Sequence, residues 1–349
     1  MDRKIDYLIV GQGIAGTILS YKLIKKGYLV KVIDDGHRTA SSTKAAGIVN
    51  PITGRSYVKS WMIDELIPEA IRTYRSLENE LKGKYYHEHT IVRVLGSIYE
   101  ENKWSSRLLD DAYSKYIIED YDTSSLDEHF KDVESCAIIK GGRVNLKSLL
   151  TDYRNWLIEQ DALIESTFKS KHLRVLPRTM YYDDIEVGKI VFAEGVQSID
   201  NQYFPNLPFQ PNKGQVLIVE MPDYKIKDIV KHGIFICPIE SNRYWVGSGY
   251  ERDFEDDLPT KEGRNKLKEQ LANILKSSEY KIIQHISGIR PSVKGRKPLL
   301  GKSNKYSSMY LFGGLGTKGS SLSPYWAEHL ISYIEGKIDI HPEVDFNRF

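Results

Sequence analysis

Cysteine is scarce in this 349-residue chain: Cys136 and Cys237 stand far apart and without metal-type spacing. That excludes a disulfide framework and a cysteine zinc site, and it fits a reduced cytoplasm with both thiols structural. No apolar run approaches the roughly 18 residues of a membrane span. The run at residues 5–10 is too short for a secretory signal and breaks into glycines with no small-residue cleavage site. Excess charge of one sign is also missing. With 49 Lys and Arg against 47 Asp and Glu, the net charge of +2 argues neither for nor against a nucleic-acid partner. Internal repeats, low-complexity tracts, a nucleophile elbow and a Cys–His pair are absent as well. At 41% hydrophobic content, the length allows two modest domains with real cores.

What the chain does have is two glycine-rich segments, far apart. Gly11-Gln12-Gly13-Ile14-Ala15-Gly16 follows the apolar run Tyr7-Leu8-Ile9-Val10. Gly313-Gly314-Leu315-Gly316-Thr317-Lys318-Gly319 follows Met309-Tyr310-Leu311-Phe312. The first segment sits in a βαβ pattern. Residues 14–26 place Ile14, Ile18, Tyr21, Leu23 and Ile24 on one helical stripe opposite Lys22, Lys25 and Lys26. Gly27 ends that helix, and residues 29–33 form a second strand. Gly11 permits a tight turn, Gly13 lets the backbone approach a pyrophosphate, and Gly16 lets the helix sit close on the sheet. The helix start offers N–H groups and a positive dipole end to phosphates. Asp34 ends the second strand, where a carboxylate meets ribose hydroxyls and repels an NADP-type 2′-phosphate. A bound dinucleotide is expected. A second glycine segment so far downstream points to FAD between interleaved domains, an arrangement NAD dehydrogenases rarely need.

Between the two segments the period changes. Residues 39–54, rich in Ser, Thr, Ala and Gly, read as a loop with little intrinsic structure. A helix follows with Leu66, Ala70, Tyr74, Leu77 and Leu81 in register, started or kinked by Pro68. Residues 90–95 and 187–193 read as strands; 214–220, 233–237 and 244–249 read as an antiparallel sheet. Residues 113–130 are acidic and weakly patterned. Gly141-Gly142 leads into a helix carrying Leu146, Leu149, Leu150, Tyr153 and Leu157, and Leu267, Leu271 and Ile274 mark another. The expected fold is α/β, or α+β overall. A Rossmann-like FAD-binding domain (1–85, 141–205 and 286–349) interleaves with an antiparallel-sheet substrate domain (86–140 and 206–285).

The candidate side chains carry two readings each. Gly314, Leu315, Gly316, Thr317 and Lys318 form either a plain loop or a row of N–H donors facing a flavin pyrimidine edge. In the second case Lys318 offsets the negative charge of reduced flavin near N1 and O2. Ser323-Pro324 reads as an N-cap and first-turn proline just beyond. Arg290, in Ser287-Gly288-Ile289-Arg290-Pro291, leaves a strand pattern at 282–286; it serves as an ion-pair partner or holds a carboxylate bidentately. Two decoys fall away. Gly301-Lys302-Ser303 lacks P-loop spacing from Gly295 and the strand–loop–helix context. His87 and His89 share a strand face but have no third ligand nearby, so they read as solvated and no metal is expected.

Taken in order, these segments resemble the D-amino-acid-oxidase-type family of FAD amine oxidoreductases across nearly the whole chain. The resemblance rests on residues 9–16 and on Ser41-Ser42-Thr43-Lys44-Ala45-Ala46-Gly47. It continues in Gly141-Gly142-Arg143-Val144, Lys213-Gly214-Gln215-Val216, Gly288-Ile289-Arg290-Pro291, Arg296-Lys297-Pro298-Leu299-Leu300-Gly301 and the second glycine segment. It implies FAD against Ile14, Ala15, Asp34, Asp35, Ser42, Thr43, Gly47, Ile48 and Val49. Gly195 would close the adenosine side, and residues 314–318 the pyrimidine edge. Arg290 matches the arginine that binds substrate carboxylate, while Tyr250 and Phe235 fall where members place residues over the substrate. Neither cysteine sits where relatives attach flavin, which implies noncovalent FAD. Asn50-Pro51, Leu315-Gly316-Thr317-Lys318-Gly319 and Asp345-Phe346-Asn347-Arg348-Phe349 resemble most the tRNA-modifying members, which act on carboxymethylaminomethyl-uridine.

The expected activity is oxidation of a C–N bond in a glycine-like amine or amino acid. Hydride passes from the α-carbon to flavin N5, leaving an imine that water hydrolyses, and orientation carries most of the rate. Two alternatives stay open: a stand-alone tRNA wobble-uridine oxidase, and a flavin dehydrogenase that passes electrons to a quinone or carrier.

Overall fold

The computed structural model describes residues 3–349, which build two eight-stranded sheets. β1 (Arg3–Val10), α1 (Ile14–Lys25) and β2 (Val30–Asp34) form the expected βαβ unit. β1 runs parallel to β2 on one side and to Ile185–Phe192 on the other. Met309–Gly313 and Leu163–Glu165 extend the sheet in parallel at either end, and Leu299–Lys302 closes one edge antiparallel. Strand order reverses at β1, so a crevice opens at the C-terminal ends of β1, β2 and Ile185–Phe192. This is where doubly wound sheets bind ligands.

Leu8, Ile9, Val32, Ile190 and Val191 are fully buried, as expected of parallel strands covered on both faces. α1 packs with the helices Ile63–Leu81, Leu146–Glu159 and Gly319–Ile334 on one face. Leu8, Val10, Phe192, Phe204 and Leu311 fill the other. The single stripe expected for α1 is too narrow. Thr17, Leu19 and Ser20 are buried as well, because the C-terminal helix and helix Leu146–Glu159 both pack on α1, the latter bringing Tyr153 OH to 2.9 Å from Ser20 Oγ.

The second sheet runs in the order Lys281–Arg290, Asn212–Glu220, Arg243–Gly247, Ile234–Glu240, Ile229–His232, Tyr86–Val94, Cys136–Val144 and Ile48–Val49. Its neighbours are antiparallel except Ile229–His232 beside Tyr86–Val94. Helix Lys261–Ile274 covers one face through Leu267 and Leu271; the other packs Ile91, Ile139 and Ile229 into a cluster with Trp104, Tyr113 and Tyr116 and turns Gly214, Val216, Phe235 and Gly288 to the crevice. Strands Cys136–Val144 and Lys281–Arg290 run through positions 140 and 285, where the two domains were expected to divide.

Several local expectations change. Residues 39–54 are not a structureless loop: Ser41–Thr43 forms a 3-10 turn, Ile48–Val49 pairs with Arg143 and Gly142, and Ile52–Thr53 pairs with Val58–Lys59. Arg143 Nε and Trp245 Nε1 donate to the carbonyls of Ala46 and Lys44, so distant side chains order this segment. Gly141 and Gly142 are strand residues; a Cβ on either would collide with Ile91 or Tyr86. Helix Ile98–Leu108 escaped the sequence reading, although Ser97 caps it by accepting from the Glu100 N–H. That Ser-x-x-Glu spacing was the available signal.

Ser323-Pro324 does not start the last helix. Both lie inside Gly319–Ile334, and Pro324 lacks the N–H that the Ser320 carbonyl would accept. The buried Tyr74 hydroxyl donates to that carbonyl instead, at 2.7 Å. Tyr74→Phe leaves it unpaired and is expected to cost about 1–3 kcal/mol. A fall in the urea midpoint at constant slope checks this; an unchanged midpoint removes the compensation.

Among the described residues no helix is long and apolar enough to cross a membrane, and no group of three His, Cys, Asp or Glu could hold a metal. His87 and His89 are half-buried on their strand, less solvated than their spacing implied.

Candidate active site

A cavity of about 470 Å³ follows the crevice between the two sheets. The first glycine segment forms one wall. Gly11 has φ +98°, and a Cβ there would stand 2.7 Å from the Ala193 carbonyl oxygen. Gly16 does not line the cavity; its absent Cβ would lie 1.8 Å from the Gly11 oxygen, so it sets how closely α1 meets the turn. Gly13, Ile14 and Ala15 do line it, and a Cβ on Gly13 would meet only Ser42 Oγ, at 3.6 Å. The start of α1 is therefore open to a ligand. Ser42 Oγ accepts from the Ile14 N–H at 3.2 Å, which draws the 3-10 turn up to that helix end.

Asp34 and Asp35 line the next stretch, with Glu194 and Gly195 across from them at the end of Ile185–Phe192. Asp34 accepts from the N–H groups of Gln12, Gly36 and His37 and from Arg154 Nη1 at 2.8–3.0 Å. Burial opposes its charge, but those backbone donors prevail and hold its carboxyl below the usual range. Three of these donors meet Oδ1 and one, the Gln12 N–H, meets Oδ2, so Asp34 sets the Gln12 turn and keeps acceptor capacity on Oδ2 at the cavity wall. Gln12 and Arg154 are the partners the sequence did not reveal, since a lone helical arginine carries no signal of its target. Burial pushes Glu194 up to about 7, against a hydrogen bond from Asn201 Nδ2.

Gly47 and Ile48 line the cavity further along. Val49 and Thr43 do not: Val49 points into the core on the opposite side of its strand, and Thr43 Oγ1 turns back to the Ala40 carbonyl. Gly314, Leu315, Gly316, Thr317 and Lys318 all line the far end, just before the C-terminal helix. Lys318 Nζ donates to Ser60 Oγ at 3.0 Å. Burial, helped by Arg296, lowers its pKa.

Opposite, the second sheet contributes Gly214, Val216, Phe235, Trp245, Gly288 and Arg290. Tyr250 stands at the rim, 58% exposed. Arg290 is half-buried and bonds only neutral acceptors: Asn212 Oδ1 at 2.5 Å, Ser248 Oγ, and the Gly249 carbonyl at 3.1 Å. Burial lowers its pKa, with Tyr250 and Glu251 opposing. Arg290 takes part in no ion pair among the described residues. Its ion-pair reading therefore falls, and two of its five donors remain for a ligand.

The sequence model of the FAD dependent oxidoreductase family, DAO, matches residues 6–333. The chain belongs to this family. It is an FAD-dependent oxidoreductase with the Rossmann-like fold of its relatives. It is 22% identical, over 97% of its length, to the tRNA 5-methylaminomethyl-2-thiouridine biosynthesis bifunctional protein MnmC of Idiomarina loihiensis, and spans 56% of that protein. Glycine oxidase of Bacillus subtilis is 23% identical, with 93% of this chain and 91% of the relative covered. Among solved structures, iminodiacetate oxidase from Chelativorans superposes with a TM-score of 0.76 at 20% identity, covering 97% of this chain and 98% of that one. The DAO cofactor fits the walls found here: an open helix start at Gly13, acids at the β2 end, and a glycine-lined loop at Gly314 and Gly316 with positive φ.

Proposed function

We propose that this flavoenzyme oxidises the C–N bond of a glycine-like amine whose carboxylate binds Arg290. The unpaired, half-buried guanidinium in the cavity carries the reading. A buried cation without an anionic partner is costly, and a substrate carboxylate removes that cost. FAD, when bound here, supplies the two-electron acceptor. Gly13, Ile14, Ala15 and Ser42 would hold its pyrophosphate, Asp34, Asp35 and Gly195 its adenosine end, and residues 314–318 its pyrimidine edge. Lys318 would add a positive field at that edge, and Tyr250 and Phe235 would shape the substrate pocket. Cys136 and Cys237 lie outside the cavity lining, which supports noncovalent binding. The division into 1–85, 141–205 and 286–349 for cofactor, and 86–140 and 206–285 for substrate, belongs to this reading. So does a reducing, cytoplasmic setting.

Similarity to MnmC favours a second reading, in which the amine is carried on tRNA. Anaerobic bleaching of the flavin absorbance tests both. Glycine, sarcosine, proline, D-amino acids and tRNA bearing carboxymethylaminomethyl-uridine form the panel. Reduction by a small amine is expected; reduction by the tRNA alone shifts the assignment to wobble modification, and silence throughout removes the proposal. Oxygen uptake during turnover separates an oxidase from a dehydrogenase that uses a quinone or carrier.

A further inference from the structure

We infer that Gln215 is a positioning residue for the Arg290 site, working from the back of the second sheet. The inference rests on Arg290 receiving the substrate carboxylate. Successive strand residues face opposite ways, so Gly214 leaves bare backbone beneath Arg290 while Gln215 points away from the cavity. Gln215 is fully buried. Its amide makes three hydrogen bonds. Nε2 donates to Glu251 Oε1 at 2.7 Å and to Thr260 Oγ1 at 2.9 Å, and Oε1 accepts from the Thr260 N–H at 2.8 Å. One side chain thereby ties together both ends of the segment 251–260. A Cβ on Gly263 would stand 2.1 Å from Nε2, so the start of helix Lys261–Ile274 closes over the amide.

That segment continues directly from the residues that hold Arg290. Nη2 donates to Ser248 Oγ and to the Gly249 carbonyl. Beyond them the Gly249 N–H donates to the Gln215 carbonyl at 3.1 Å, and Lys213 and Glu251 exchange backbone hydrogen bonds at 2.9 and 3.0 Å. Opposed residues of an antiparallel pair share a face, so Glu251 lies with Lys213 and Gln215 on the back, and Tyr250 turns to the cavity. Without the amide, the Glu251 carboxylate and the Thr260 N–H lose their partner, and residues 248–251 lose their support from behind. Arg290 then keeps its Nη1 bond to Asn212 Oδ1 but not a fixed Nη2. The guanidinium stays in the cavity with its orientation loosened. Lys213 Nζ, 3.4 Å from Asp256 Oδ1, and Ser287 Oγ, which donates to the Asp257 carbonyl, still anchor the middle of the segment, so the change is local.

Titration of the flavin spectrum of the FAD-loaded enzyme tests this with (methylthio)acetate and (methylthio)acetamide, alike in shape and different in charge. Wild type is expected to favour the acid about tenfold or more. Gln215→Met keeps the side-chain length without its donors or acceptor. It should weaken the acid about fivefold to tenfold while amide affinity and FAD content stay unchanged. Glu251→Leu should weaken the acid in the same way, and Glu251→Gln, which keeps an acceptor for Nε2, should restore it. Equal weakening of both ligands marks general loosening and overturns the inference, as does an undiminished acid preference in Gln215→Met. If Gln215→Met does not fold, the Glu251 pair decides, and equal affinities in Glu251→Leu and Glu251→Gln overturn the inference. Absence of an acid preference in the wild type removes the Arg290 reading and this inference with it; a preference that survives in the variants removes this inference alone.

Discussion

Arg290→Ala is expected to lower kcat/KM by about two to three orders of magnitude, chiefly through KM, while flavin content stays at the wild-type level. The guanidinium is held from three sides by Asn212, Ser248 and Gly249, and it reaches the cavity without an anionic partner. Removing it deletes the positive charge that a bound carboxylate would meet in a partly desolvated site. The loss falls on substrate binding because none of these partners belongs to the expected cofactor walls. Arg290→Lys should recover only part of the activity, since an ammonium cannot reproduce the planar fork. The same side chain is exposed to a second perturbation. A Cβ on Gly214 would stand 2.0 Å from Arg290 Nη2, so Gly214→Ala should displace the guanidinium and mimic its loss. Steady-state kinetics on protein of matched flavin content decide the matter; unchanged KM in Arg290→Ala removes this residue from the site.

Gly16→Ala is expected to yield protein that purifies without flavin and unfolds several degrees lower. The added Cβ would sit 1.8 Å from the Gly11 oxygen, a backbone atom that cannot swing aside. Either α1 moves off the sheet or the Gly11 turn opens, and both displace the N–H groups at Gly13 and Ile14. The cost is expected at about 3–5 kcal/mol, the range reserved for severe overpacking and buried disruption. Gly36→Ala is the control. Gly36 also has positive φ, at +88°, but nothing lies within 4 Å of a Cβ there, so only about 1 kcal/mol of backbone strain is expected. The ratio of flavin to protein absorbance, with thermal unfolding, reads both variants. Flavin retention by Gly16→Ala at wild-type stoichiometry would falsify the close-packing role.

The sequence by itself determined what chain-local physics can encode. The run Tyr7-Leu8-Ile9-Val10 and the spacing of Gly11, Gly13 and Gly16 specify strand, turn and helix, because each residue meets only its own neighbours. Arg290 was also visible, as a cation leaving a strand pattern, although not which of its two readings held. Only the tertiary structure shows that its partners are neutral acceptors drawn from Asn212 and residues 248–249, which is the observation the proposed carboxylate role rests on. The same holds for residues 39–54, ordered by Arg143 and Trp245, and for the last helix, whose Pro324 is tolerated because Tyr74 serves the freed carbonyl. These are long-range pairings, and a one-dimensional pattern records which residues have unmet needs but not which distant ones meet them.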